Sequence, residues 1–108
     1  MEKTAQITEI LRELRQRLNS LYGENLRQLI LYGSHARGDA DEGSDIDLLI
    51  VLEVLDDPEA ELSRIDPLAS ELCLKYDVLL TFDVISARDY PDWNTPLLLN
   101  IRREGVPV

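Results

Sequence analysis

The tightest constraint on this chain is Asp45-Ile-Asp47 running straight into Leu48-Leu-Ile-Val-Leu52, two acids at alternate positions followed by an unbroken apolar run. Such a run suits a strand buried on both faces. Side chains alternate across a strand, so Asp45 and Asp47 are expected on one face, roughly 7 Å apart by strand rise. Paired acids at the mouth of a buried strand cost free energy unless something positive sits beside them. Both lysines and most arginines lie far off in sequence, which leaves a hard divalent cation as the simplest partner. Magnesium takes one or two carboxylates, keeps waters and adds substrate phosphates. A third acid on the neighbouring strand would admit two such ions, the arrangement suited to in-line phosphoryl or nucleotidyl displacement.

The other half of the candidate site lies upstream. Leu26 to Tyr32 reads as a largely buried strand, and Gly33-Ser34 follows it where the chain turns into one or two helical turns between His35 and Ala40. A strand-to-helix turn exposes backbone N–H groups to an anion. Gly33 lets a phosphate approach the backbone, the Ser34 hydroxyl can donate to an oxygen, and Arg37 either neutralises further charge or pairs with Asp39 or Asp41. Ser44 is a turn or strand-entry residue close to where metal-bound water would lie. His35, the only histidine, is expected to face solvent. Asp39, Asp41 and Glu42 read as a solvated acidic loop. No Gly-Lys-Ser/Thr or Gly-x-Gly-x-x-Gly occurs, and an EF-hand fails on spacing, since counting from Asp39 puts Ser44 at the turn glycine and Ile50 at the bidentate glutamate.

Elsewhere the pattern predicts helix, strand, turn, strand, helix, strand, helix: an α/β or α+β domain with a small sheet, one domain spanning residues 1–108. Ile7, Ile10, Leu11, Leu14, Leu18 and Leu21 mark the first helix, with Thr4 as its cap and Gly23 as its stop. The second strand starts at Ser44. Asp56-Asp57-Pro58 opens a helix carrying Leu62, Ile65, Leu68, Ala69, Leu72 and Cys73 inward, with a kink or break at Pro67. The third strand covers Asp77 to Ile85. A helical turn follows at Ser86 to Tyr90, and Thr95-Pro96 caps a last helix that buries Leu98, Leu99 and Ile101 and stops at Gly105.

With 21 acidic against 11 basic residues the net charge is −10, which repels nucleic acid backbones and argues against a direct nucleic acid partner. No apolar stretch reaches the roughly 18 residues of a membrane span, and the start carries no secretory core, so a cytoplasmic protein without membrane contact is expected. The lone Cys73 reads as packing. Tyr76, Tyr90 and Trp93 lack a basic groove and read as core or partner contacts, and Arg102-Arg103 compensates the last helix's dipole.

Leu31-Tyr-Gly-Ser-His-Ala-Arg-Gly-Asp-Ala-Asp-Glu-Gly-Ser-Asp-Ile-Asp-Leu-Leu-Ile50 resembles the signature of the DNA polymerase β-type nucleotidyltransferase superfamily, above all its minimal bacterial and archaeal branch. The tail Thr95 to Gly105 resembles the endings of one group of these proteins. The resemblance implies the nucleotidyltransferase fold, a small mixed sheet of three to four strands packed with helices. It further implies ATP or another nucleoside triphosphate as substrate, two Mg²⁺ held by Asp45, Asp47 and a third carboxylate, and nucleotide contacts from Gly33, Ser34, Arg37 and Ser44. For the third acid, Asp77 is preferred to Asp83 because it opens the third strand. A frequent role in this branch is that of antitoxin, transferring AMP to a tyrosine of a helical HEPN toxin within a hetero-oligomer. The alternatives are a non-catalytic module that neutralises its partner by contact, and an aminoglycoside-type small-molecule nucleotidyltransferase.

Overall fold

The computed structural model describes residues 2–41 and 43–108, the side chains of 2–5 excepted. The apolar residues at three- and four-residue steps wind Glu2–Tyr22 into α1, in which Ile10, Leu14 and Leu18 are wholly buried. This helix is under way at Glu2, so Thr4 stands within its first turn, and the Thr4 side chain lies outside the described residues. A short 3₁₀ turn, Gly23–Asn25, leads into β1 (Leu26–Tyr32). After it come α2 (Ser34–Arg37), β2 (Ile46–Leu52), α3 (Pro58–Tyr76), β3 (Leu80–Ser86), α4 (Pro96–Glu104) and β4 (Val106–Pro107).

The strands form one mixed sheet in the order β3-β2-β1-β4. β1 is antiparallel to β2 and β4, while α3 crosses over to bring β3 parallel to β2. Helices cover both faces of this sheet, which is why five successive residues of β2 are apolar. Leu48, Ile50 and Leu52 point toward α1 and α3, where they meet Leu14, Leu18, Ile65 and Leu72. Leu49 and Val51 point the other way and pack with Ile30, Ile85 and the α4 residues Leu98 and Ile101. Among the described residues no helix is long and apolar enough to cross a membrane.

Several boundaries differ from expectation, each for a local reason. β3 begins at Leu80 and not at Asp77, which ends α3 in the left-handed conformation (φ 55°, ψ 52°) with its N–H donating to the Cys73 carbonyl. Asp is one of the few side chains that tolerate this conformation, so the run Asp77-Val-Leu-Leu80 hides a helix stop. β2 pairs only from Ile46, whose N–H reaches the Leu79 carbonyl at 2.9 Å. The proline at 67 does not end α3. The carbonyl that loses its N–H partner there belongs to Ser63, on the exposed side of the helix, where water can replace it. Leu99 is half exposed, because only Leu98 and Ile101, one turn apart, face the sheet. β4 completes the expected sheet of three to four strands, but its place is not legible in the pattern, since a two-residue edge strand containing Pro107 carries no alternation.

Cys73 is half-buried against the α1 and α3 core, and its Sγ accepts the Leu80 N–H at 3.4 Å, consistent with a packing role. At the other end of α3, Asp57 accepts the N–H groups of Glu59 and Ala60 at 3.1 and 3.3 Å. Replacing it with alanine is expected to cost about 1 kcal/mol. A thermal melt of Asp57→Ala should therefore fall by roughly 4 to 8 °C, with the folded far-ultraviolet spectrum kept.

Candidate active site

Because β1 and β2 are antiparallel neighbours joined by a single loop, the residue that leaves β1 must lie beside those that enter β2. Tyr32 pairs with Asp47 across the two strands, and Gly33 is the next residue along. Its backbone (φ 77°, ψ −155°) turns the chain into α2 in a conformation open to glycine. A Cβ at this position would lie 2.3 Å from Asp47 Oδ2, so the Asp47 carboxylate rests directly on the Gly33 backbone. The glycine turn and one of the strand acids are thus in contact, although twelve residues lie between Gly33 and the start of β2 at Ile46.

The remaining atoms of Asp47 are equally constrained. It is half-buried, and its Oδ1 accepts a 2.6 Å hydrogen bond from the Thr81 hydroxyl, the residue directly opposite in β3. Asp45 is exposed and stands one position ahead of the first paired residue of β2. Asp83 lies two residues beyond Thr81, opposite Leu49, and therefore on the α4 face of the sheet with Asp47. The half-buried Tyr32 joins them: burial pushes its hydroxyl up to about 12, helped by the charges of Asp83 and Asp47 and by its hydrogen bond to Asp83. Asp77 ends α3 and borders a hollow with Gln6, Ile7 and Ile10 of α1 and Asp41 of the loop, and its expected position as the residue that opens β3 is corrected accordingly.

The loop between Gly33 and Asp45 is stitched by its own polar groups. Gly33 O accepts the N–H groups of Ala36 and Arg37, both at 3.1 Å, and Ser34 O accepts those of Gly38 and Asp39. Asp41 and Ser44 cap each other, the Asp41 N–H reaching Ser44 Oγ at 3.0 Å and Ser44 Oγ reaching Asp41 Oδ1 at 3.1 Å. His35 is half-buried and not solvent-facing; its Nε2–H donates to the Ser44 carbonyl at 3.2 Å, which clips the loop shut. Arg37 is engaged by Asp39 and by Glu104 of α4, each at 3.1 Å, and both partners raise its pKa. Both pairs are solvent-accessible, so they hold the guanidinium only weakly. Glu42 lies outside the described residues. The Ser34 hydroxyl makes no hydrogen bond among the described residues, and the first N–H groups of α2 have no partner within the helix.

Tyr90 packs beneath α4 and Tyr76 bonds to Glu13 through its hydroxyl, whereas Trp93 is half exposed. The donor chemistry can be judged on the same observations. Among the described residues Asp45, Asp47 and Asp83 form no ion pair, and no group of three His, Cys, Asp or Glu side chains is arranged to enclose a metal. Carboxylates without a cation, next to a glycine turn with a free hydroxyl, fit a magnesium-type ion that arrives with phosphate and water ligands. They do not fit a closed structural cage.

The nucleotidyltransferase domain family matches residues 11–93, a stretch that contains Gly33, Ser34, Asp45, Asp47 and Asp83. The chain belongs to this family. A relative from Methanocaldococcus jannaschii, named "putative protein adenylyltransferase", is 38% identical over 76 residues, 70% of this chain and 76% of its own length. One chain of the crystal structure of a toxin-antitoxin with AMP-PNP superposes with a TM-score of 0.59 at 20% identity, covering 95% of this nucleotidyltransferase and 69% of that chain. A chain from the complex of tri-AMPylated Shewanella oneidensis HEPN toxin with MNT antitoxin gives 0.50 at 20% identity, over 99% and 71%. At that identity the likeness is one of fold, and it matches the mixed sheet described above. Sequence reasoning missed Thr81 and Tyr32. Only the strand register reveals Thr81, and Tyr32 reads as ordinary core at the end of a buried strand.

Proposed function

We propose that this nucleotidyltransferase moves AMP from magnesium-bound ATP to a hydroxyl on a partner protein, a HEPN-type toxin for which it serves as antitoxin. The observation that carries the reading is the contact between Gly33 and Asp47, which sets a phosphate-accepting turn against a metal-type carboxylate. The protein-adenylyltransferase name of the archaeal relative and the AMPylated toxin in the Shewanella complex support the choice of AMP and of a protein acceptor.

Asp45 and Asp47 would hold two Mg²⁺, which when bound neutralise the triphosphate and the departing pyrophosphate. The Ser34 hydroxyl and the N–H groups of its turn orient the phosphates. Asp83, on the same sheet face as Asp47, takes the proton of the acceptor hydroxyl as its oxygen bonds to the α-phosphorus and the bond to pyrophosphate breaks. Most of the rate enhancement in such a site comes from positioning and charge neutralisation.

The test is incubation with α-labelled ATP, Mg²⁺ and the product of the neighbouring gene as candidate partner. Wild type should label that partner, Asp83→Asn should lower the rate roughly a hundredfold, and Asp77→Asn should leave it unchanged. Absence of label with wild type, or loss with Asp77→Asn alone, would contradict the scheme. A contact-only neutralising module is the second reading. It would be supported by an Asp45→Ala/Asp47→Ala protein that silences the toxin as well as wild type does.

A further inference from the structure

We infer that Thr81 is a positioning residue for the metal-holding carboxylate of Asp47, an inference that rests on the metal-dependent reading above. The two residues face each other across the parallel β2–β3 pair, and the Thr81 hydroxyl donates to Asp47 Oδ1 at 2.6 Å. The other oxygen, Oδ2, is the one that abuts Gly33. Two strands and a turn therefore fix one side chain: a hydroxyl grips the oxygen turned toward β3, and the oxygen beside the phosphate-accepting turn is left for a ligand.

A carboxylate rotates about its side-chain torsions unless something holds it, and a ligating group held in the productive orientation loses less freedom when the ion arrives. Hydrogen-bonded partners of metal ligands commonly contribute ten- to a hundredfold in affinity. Threonine suits the task here. Its β-branched form belongs in a strand, and its hydroxyl leaves the site with no additional charge. In the same register Asp83, the acid of β3, stands two residues beyond the clamp on the same face.

Thr81→Val keeps the branched shape and removes the donor, while Thr81→Ser keeps the donor. Titration calorimetry of Mn²⁺ into the full chain with AMP-PNP present should give a dissociation constant raised at least about tenfold for Thr81→Val and within about threefold of wild type for Thr81→Ser. Melting temperatures should agree within a few degrees. Asp47→Asn serves as the reference and should abolish the metal heat that remains once the heat of Mn²⁺ with AMP-PNP alone is subtracted. If Asp47→Asn binds Mn²⁺ like wild type, the metal-dependent reading falls and this inference with it. If Asp47→Asn loses binding while Thr81→Val retains it, or if Thr81→Ser loses it as fully as Thr81→Val, the clamp alone is refuted.

Discussion

Asp47→Asn is expected to reduce AMP transfer by roughly a thousandfold while leaving the fold intact. The amide has nearly the shape of the carboxylate, so its oxygen can still accept the Thr81 hydroxyl while its NH₂ group lies against Gly33. The charge and one ligand oxygen are lost. A metal ion contributes several kcal/mol of charge stabilisation to a phosphoryl displacement. Since about 1.4 kcal/mol is a factor of ten in rate, weakening its grip accounts for three orders of magnitude. Stability should move little, because Asp47 has no cationic partner among the described residues whose attraction would be lost. A radiolabel assay alongside a thermal melt checks both halves. Retained transfer would remove Asp47 from the chemistry, and a collapse of the melt would mark it as structural.

The legible part of this protein was the part written in short-range spacing. Asp45 and Asp47 at a two-residue step, the apolar run behind them and Gly33-Ser34 at a strand end all carry local patterns, and a one-loop connection between antiparallel neighbours brings them together. The placement of α4 over Leu49 and Val51 was foreshadowed by the same run, because five apolar residues in succession require cover on both faces. What escaped was whatever depends on register or on a residue's less common conformation. Asp77 resembled a strand opener because its neighbours Val78, Leu79 and Leu80 are apolar and suit a strand, yet the left-handed φ available to aspartate lets it close α3 instead. Thr81 is an ordinary strand residue until the pairing of β2 with β3 sets it opposite Asp47. His35 gave no sign of its bond to Ser44, nine residues away across a loop with no repeating pattern.

The glycine at 33 offers the most direct probe of how closely the two halves of the site meet. In Gly33→Ala the new methyl group would be placed 2.3 Å from Asp47 Oδ2, far inside contact distance, on a backbone whose φ of 77° already disfavours a side chain. Two responses are open to the molecule, and both are harmful. Either Asp47 swings away, which breaks the Thr81 bond and removes the metal ligand, or the turn relaxes and carries Ser34 out of line with the acids. The strained backbone alone costs about 1 to 3 kcal/mol. A drop in melting temperature is expected, together with a loss of transfer of at least about a hundredfold, as follows when a reacting group is displaced by roughly 1 Å. Gly38→Ala is the matched control, because it also has a positive φ (83°) but nothing within 4 Å of the new Cβ. It should share the stability loss and keep most of the activity. Equal activity losses in the two variants would mean that backbone strain, and not the collision with Asp47, governs this turn.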